Sequence, residues 1–318
     1  MGATVGPRRA SLALPVFNEG PRIRATLIEL YEHLRENVSR YEWEIVVVDD
    51  GSHDDSLAAV VEAGEQLGLP LRVLAHEGNH GLGSALSSIF REARGDVIVT
   101  VDADLTYSVD HVARLVEALE STGAAVVVAS PYAPGGTTRS VPRGLEVRSR
   151  LANRYLAAMT GNRVATLTGI VRAFDGEFAR SLPPLRGGAN ANIAVLHEAW
   201  RQRLDVVEIP AELNWTGQEY RRARHAMISM KSVRESLSVL SQGAHLRHVT
   251  RRSPAVLPVQ RAMPAATLMD DSPSAPVIDL RDPSSRGARR NLLVDSDDAA
   301  AVLSDQPEPP RHAERHDA

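Results

Sequence analysis

Two aspartates separated by one alanine, Asp102-Ala103-Asp104, directly follow the apolar run Val97–Val101. In extended backbone, side chains at i and i+2 leave on one face, so both carboxylates aim the same way. Such a pair suits a hard divalent cation, Mg²⁺ or Mn²⁺, that is shared with substrate phosphates. The cation would neutralise charge developing on a departing diphosphate. The plainer alternative is a solvated strand end with a helix cap. A second acidic strand end, Asp49-Asp50-Gly51-Ser52, follows the run Ile45–Val48. Carboxyl ends of strands in an open parallel sheet face the ligand crevice, where a carboxylate can accept hydrogen bonds from a nucleobase or ribose. One of these two aspartates can equally cap the next helix with Ser52 and Asp54, and with two present both roles stay open.

Asn79-His80-Gly81-Leu82-Gly83-Ser84-Ala85 is a glycine turn that opens a helix. Leu86 stands where a dinucleotide fingerprint needs its third glycine, so that motif is not met. The glycines either let the helix pack closely on the strand ends or touch a ligand directly. Two arginine clusters, Arg148/Arg150/Arg154 and Arg221/Arg222/Arg224, suit bidentate phosphate recognition or form solvated faces. His197, His225 and the other histidines lack metal-ligand spacing and are read as structural or surface residues.

Composition narrows the classes. The chain has 318 residues, 43% hydrophobic and 24% charged, enough for a sizeable core. Its net charge of −4 argues against a general nucleic-acid binder. Without cysteine it has no disulfide, thiolate zinc site or cysteine nucleophile. Lys231 is the sole lysine, which argues against Schiff-base and P-loop chemistry. Met1–Ala10 leads into a strand without an apolar leader segment, and no run reaches the ~18 apolar residues of a membrane span. A cytoplasmic protein with peripheral contact to a membrane surface is the expectation.

The elements that must carry these residues alternate. Ser11–Pro15, Glu44–Val48, Leu71–Ala75, Val97–Val101 and Ala125–Ala129 read as strands; Arg22–Glu36, Asp54–Leu67, Gly83–Ala93 and Val109–Ser121 have helical spacing. The continuous β-branched runs imply strands covered on both faces, in an open, mostly parallel sheet flanked by helices: an α/β fold. Residues 131–142 read as a Gly/Pro loop, Arg143–Met159 as a basic helix, a second α/β portion runs to about Trp215, and a further helix is expected over His225–Leu240. The organisation expected is a flexible stretch at 1–10, one domain over 11–245 with halves 11–130 and 131–245, and a disordered tail at 246–318. That tail is proline-rich and without aromatic residues, so it is read as solvated and dispensable for the core. Its apolar pieces Val277–Leu280 and Asn291–Val294 are weighed as docking motifs but read as part of the solvated tail.

Taken in order, several segments resemble family 2 glycosyltransferases of the GT-A fold, in the branch similar to dolichol- and polyprenyl-phosphate sugar synthases. They are Leu14-Pro15-Val16-Phe17-Asn18-Glu19, Val47-Val48-Asp49-Asp50-Gly51-Ser52, Asn79-x-Gly81-x-Gly83-x-Ala85, Ala93-Arg94-Gly95-Asp96 and Asp102-Ala103-Asp104-Leu105. The resemblance spans roughly residues 11–240. It implies a nucleotide-sugar donor, GDP-mannose or a UDP-sugar, with Pro15, Phe17 and Glu19 lining its pocket and Val48 and Asp50 on base and ribose. Asp102, Ala103 and Asp104 would hold ribose, diphosphate and metal, and Arg222 or its neighbours would meet the diphosphate. Arg172, near Thr168-Gly169 on the acceptor side, is counted as catalytic with Asp102 and Asp104.

Relatives that use a hydroxyl acceptor commonly supply an aspartate base after the acceptor loop. The corresponding stretch here, Gly187-Gly188-Ala189-Asn190-Ala191-Asn192, has no carboxylate. A phosphate is already ionised, so a polyprenyl phosphate acceptor is favoured. Transfer to a soluble hydroxyl, and a non-catalytic sugar-nucleotide-binding protein, are the alternatives.

Overall fold

The computed structural model describes residues 8–215, save 162 and 189, together with 277–280 and 282. Strand and helix alternate through β1 (Arg8–Val16), α1 (Arg22–Asn37), β2 (Tyr41–Asp49), α2 (Ser56–Leu67), β3 (Leu71–Ala75), α3 (Leu82–Glu92), β4 (Val97–Thr100), α4 (Asp110–Thr122) and β5 (Val126–Ser130). The second portion adds β6 (Thr137–Arg139), α5 (Arg143–Met159), β7 (Arg172–Asp175), α6 (Gly176–Arg180), α7 (Asn190–Arg201), β8 (Val206–Pro210) and β9 (Glu212–Asn214), and a final strand β10 is Val277–Asp279. The main sheet has the order β10-β3-β2-β1-β4-β7-β5-β8. β3, β2, β1 and β4 run parallel, as do β5 and β8, while β7 is antiparallel to both neighbours.

Side-chain alternation along the strands supplies two cores. Leu12, Leu14, Ile45, Val47 and Val99 face α1, α2 and α4; Ala13, Val46, Val48, Ile98 and Val128 face α3, α5, α6 and α7. The central stretches of β1, β2, β4 and β5 therefore need apolar residues toward both layers, which is why runs such as Ile45–Val48 are continuous. Each helix needs only one apolar stripe. In α1, Ile23, Leu27, Leu30 and Leu34 are buried at helical spacing.

Two assignments change. The loop 131–142 contains β6, which pairs in parallel with β9 to make a small second sheet. Residues 277–280 do not belong to a coreless tail. β10 pairs antiparallel with β3 at the sheet edge, and Ile278 is 1% exposed. Four residues in proline-rich surroundings carry no strand signal of their own; the open edge of β3 supplies the pairing. The expected helix at His225–Leu240 and the rest of 216–276 lie outside the described residues.

The start of α3 shows how closely the second portion approaches the sheet. Gly83 N donates to Gly187 O at 2.7 Å, and a Cβ on Gly83 would stand 2.6 Å from the Arg186 carbonyl carbon. Gly83→Ala should gain up to ~1 kcal/mol of helix propensity. The clash should outweigh that gain and leave a net loss of about 1–3 kcal/mol, read from urea unfolding.

Candidate functional site

The strand order reverses between β1 and β4. The chain moves from β1 outward to β2 and β3, then crosses back to place β4 on the other side of β1. Loops leaving such a switch point diverge and open a crevice at the carboxyl ends of the strands. A cleft of about 590 Å³ lies there, lined by Pro15, Phe17, Glu19, Asp50, Asp102, Ala103 and Asp104 among others.

The loop after β1 folds back at Asn18, whose φ of 54° is left-handed, a conformation asparagine tolerates. Its backbone is stitched to the loop after β2. Asn18 N donates to Ser52 Oγ at 3.0 Å, His53 N donates to Asn18 Oδ1 at 2.9 Å, and Glu19 N and Gly20 N both donate to Ser56 Oγ at 2.8 Å. Phe17 is left 40% exposed at the cleft. The two neighbouring aspartates divide the roles that the sequence left open. Asp49 turns inward, accepts from Ser52 N at 3.0 Å and fixes the turn. Burial pushes its carboxyl above the usual range.

Asp50 faces the cleft. It accepts from Gly81 N at 2.7 Å and His80 N at 3.1 Å, and it meets the His76 ring at 2.7 Å. The other ring nitrogen of His76 meets Ser88 Oγ at 2.9 Å, so the imidazole bridges α3 and the carboxylate. Gly51, at φ 72°, lets the chain pass against the Gly78 backbone where any Cβ would collide.

On the opposite lip, Thr106 braces both aspartates of the other pair. Its N–H donates to Asp104 Oδ1 and its hydroxyl to Asp102 Oδ2, each at 3.2 Å. Leu105, at φ 52°, makes the tight turn that brings Thr106 back. Thr26 Oγ1 anchors Ala103 O at 2.9 Å. Burial first, then the charges of Asp104 and Glu19, push the Asp102 carboxyl up to about 7. Two hard carboxylates on one face, with Glu19 close enough to act on them, make a donor set that fits Mg²⁺ or Mn²⁺. Among the described residues no cluster of three or more His, Cys, Asp and Glu has metal-binding geometry, so water or substrate oxygens would complete any shell.

The far wall is the segment 165–170, of which Thr168, Gly169 and Ile170 line the cleft. Buried and half-buried polar side chains hold it. Asn153 Oδ1 accepts from Leu167 N at 2.9 Å, and Asn192 Nδ2 donates to Thr168 O at 3.0 Å. Glu208 accepts from Ala165 N and Thr166 N at 2.7 and 2.8 Å. Arg172 donates to Leu167 O at 2.6 Å and to Asn192 O at 2.7 Å.

Two expected site residues stand elsewhere, and a third cannot be placed among the described residues. Val48 is fully buried against α3, because its position in β2 points away from the cleft. Arg172 is 0% exposed beneath the wall, so it positions that segment rather than touching substrate. Burial lowers its pKa, although a guanidinium stays charged. Arg222 lies outside the described residues. In the other arginine cluster, Arg150 pairs with Glu146 at 2.9 Å and sits 5.0 Å from the Tyr132 ring centre, and neither it nor Arg148 or Arg154 lines the cleft. His76, Thr106, Asn153, Asn192 and Glu208 were missed. Only Glu208 interrupts an apolar run; the others stand beside polar neighbours, where the sequence gives no sign of the contact each makes.

An open α/β architecture with paired carboxylates at its switch point is the class that fold and site define. Residues 11–181 match the model for glycosyl transferase family 2, and the chain belongs to that family. It is similar to a dolichol-phosphate mannosyltransferase of Pyrococcus furiosus, 33% identical over 42% of this chain and 36% of that protein. It is also similar to an undecaprenyl-phosphate 4-deoxy-4-formamido-L-arabinose transferase of Sodalis glossinidius, 32% identical over 52% and 48%. The chain thus spans about half or less of the length of the curated relatives it matches. Among solved structures, glucosyl-3-phosphoglycerate synthase of Mycobacterium tuberculosis shares the fold at a TM-score of 0.53, with 22% identity over 74% of this chain and 79% of that one. Mannosyl-3-phosphoglycerate synthase of Rubrobacter xylanophilus does so at 0.51, with 19% identity over 79% of each. Among the described residues no helix is long and apolar enough to cross a membrane.

Two outcomes follow from the geometry. A lysine at 172 cannot span both carbonyls, so Arg172→Lys should cost about 2 kcal/mol in urea unfolding. The Asp102 carboxyl, at about 7 when folded, keeps a proton that the unfolded chain releases near pH 4. Metal-free protein should therefore lose stability as pH rises from about 4 through about 7 and then level off. Asp102→Asn should flatten this dependence in melting curves recorded across that range.

Proposed function

We propose that this chain is a metal-dependent glycosyltransferase that moves a sugar from a nucleotide donor to a polyprenyl phosphate, with inversion. The observation that carries the acceptor class is the character of the far wall. Among the described residues, Thr168, Gly169, Ile170 and Asn192 line it, and none of these is a carboxylate or histidine. A hydroxyl acceptor needs a general base at that wall; an ionised phosphate does not.

In this reading Asp50, fixed by His76 and the 80–81 amides, takes the base or ribose, and Phe17 covers the nucleotide. The Mycobacterium tuberculosis relative has been solved with Mg²⁺ and UDP, which supports a divalent ion at Asp102 and Asp104. When bound, the ion would neutralise the leaving diphosphate. An acceptor phosphate oxygen attacks the anomeric carbon in line from the 168–170 side. The new C–O bond forms as the bond to the nucleoside diphosphate breaks.

The names of the curated relatives support a lipid-linked phosphate, and α5 offers a matching surface. Val147, Leu151, Tyr155 and Met159, 37–62% exposed, recur every fourth residue, with Arg143, Arg148 and Arg154 on the same helix. Such a helix can lie in the interface of an anionic bilayer, and its buried Asn153 ties it to the wall where the acceptor would arrive.

The test is transfer of labelled sugar from GDP-mannose or UDP-glucose, with Mn²⁺, to undecaprenyl phosphate in anionic vesicles or to a soluble polyol. Label in the lipid supports the reading; label only in the polyol replaces it with the hydroxyl-acceptor alternative. Asp104→Asn should weaken Mn²⁺-dependent nucleotide binding by about 100-fold in calorimetry without unfolding the chain.

A further inference from the structure

The edge of the main sheet beyond β3 is built for a particular strand. Ile278 and Leu280 stand opposite Val73 and Leu71, on the face shared with α2, and Leu280 N donates to Leu71 O at 3.1 Å. Leu280 sits where a side chain on Gly64 of α2 would be, and the same Cβ would stand 2.8 Å from Leu71 Cδ2. The glycine leaves a notch in an otherwise apolar helix face, and that notch takes Leu280. On the other face, Asp279 lies 3.6 Å from Arg94 and opposite Arg72, which is itself engaged by Glu44 and Glu92. Notch, apolar neighbour and arginine together read the pattern apolar–acidic–apolar, which Ile278-Asp279-Leu280 supplies.

The position of this strand matters. Val277 pairs with Leu74, one residue before β3 ends at Ala75. His76 follows, its N–H donating to Asp49 O and its ring holding Asp50. The strand that closes the edge therefore grips the backbone from which the Asp50 brace departs.

We propose that the β3 edge with the Gly64 notch is a strand-addition site for the chain's own Val277–Leu280 segment, whose seating clamps His76 and thereby Asp50. Backbone pairing supplies the grip and the alternate side chains supply selectivity. An uncovered edge would also be open to pairing with other chains. This strand belongs to the same chain as β3, and covalent attachment favours it over a second copy. The coupling to nucleotide rests on the proposed function; the docking does not.

The test compares the full-length chain with a full-length Ile278→Asp/Leu280→Asp variant by hydrogen exchange, melting, and titration with UDP and GDP in the presence of Mn²⁺. The variant should show exchange at residues 71–74 about ten-fold faster or more, melt on the order of 5 °C lower, and bind nucleotide three- to ten-fold more weakly. A synthetic peptide of residues 273–284 should restore all three saturably. Unchanged exchange and melting would overturn the docking. Protection at 71–74 that depends on protein concentration and tracks a dimeric mass would overturn the assignment to the chain's own segment. Faster exchange with unchanged nucleotide affinity would overturn the clamp. Should neither nucleotide bind the wild type, the reading of the cleft fails, while exchange and melting still decide the docking.

Discussion

Parallel strands deliver their carboxyl ends to one edge, and here that edge collects Glu19, Asp50, Asp102 and Asp104 around a single cleft. Carboxylates taken out of bulk water lose hydration and repel one another, and the Asp102 carboxyl is raised first by burial and then by its charged neighbours. Carboxylates in this position drift apart unless something holds them. The surrounding loops do so with hydrogen bonds: Thr106 across the pair after β4, the His76 ring and the amides of residues 80 and 81 on Asp50, and Ser56 on the turn that carries Glu19.

The two walls of the cleft are built by different means. The β1–β2 side is largely a backbone construction, in which glycine at 51 and left-handed Asn18 allow loops to interlock at contact distance. The opposite wall is an irregular segment whose peptide groups have no ladder to join. Asn153, Arg172, Asn192 and Glu208 satisfy them, two with amide side chains, one with a buried guanidinium and one with a half-buried carboxylate. A buried charge is tolerated where it meets several fixed dipoles, and Arg172 meets two carbonyls in the planar geometry that guanidinium favours. A wall held in this way keeps its shape through groups that lie behind its surface.

The α/β character, the mostly parallel sheet and the elements of the first 130 residues were legible because each rests on local periodicity. Ile45–Val48 can only be a strand covered on both sides, and Leu27, Leu30 and Leu34 can only be one face of a helix. Asp50, Asp102 and Asp104 were legible as site residues because they end such strands. Pro15, Phe17 and Glu19 reach the cleft as the family resemblance implied. Arg172 and Val48 came from the same resemblance, and the structure buries both. A motif preserves the identity of a residue, whereas the side of a strand on which it falls depends on register.

The sequence by itself thus determined which strands form in the first 130 residues, roughly where they end, and that acidic groups stand at two of those ends, since these follow from short-range pattern. Tertiary structure alone decided which of Asp49 and Asp50 turns inward, what holds the 165–170 wall, and where the segment 277–280 goes. Those outcomes rest on contacts between residues far apart in the chain: Asp50 with His76, Leu167 with Asn153, and Leu280 with Gly64. Each partner is locally unremarked, and only the packing of one layer on another brings it within reach.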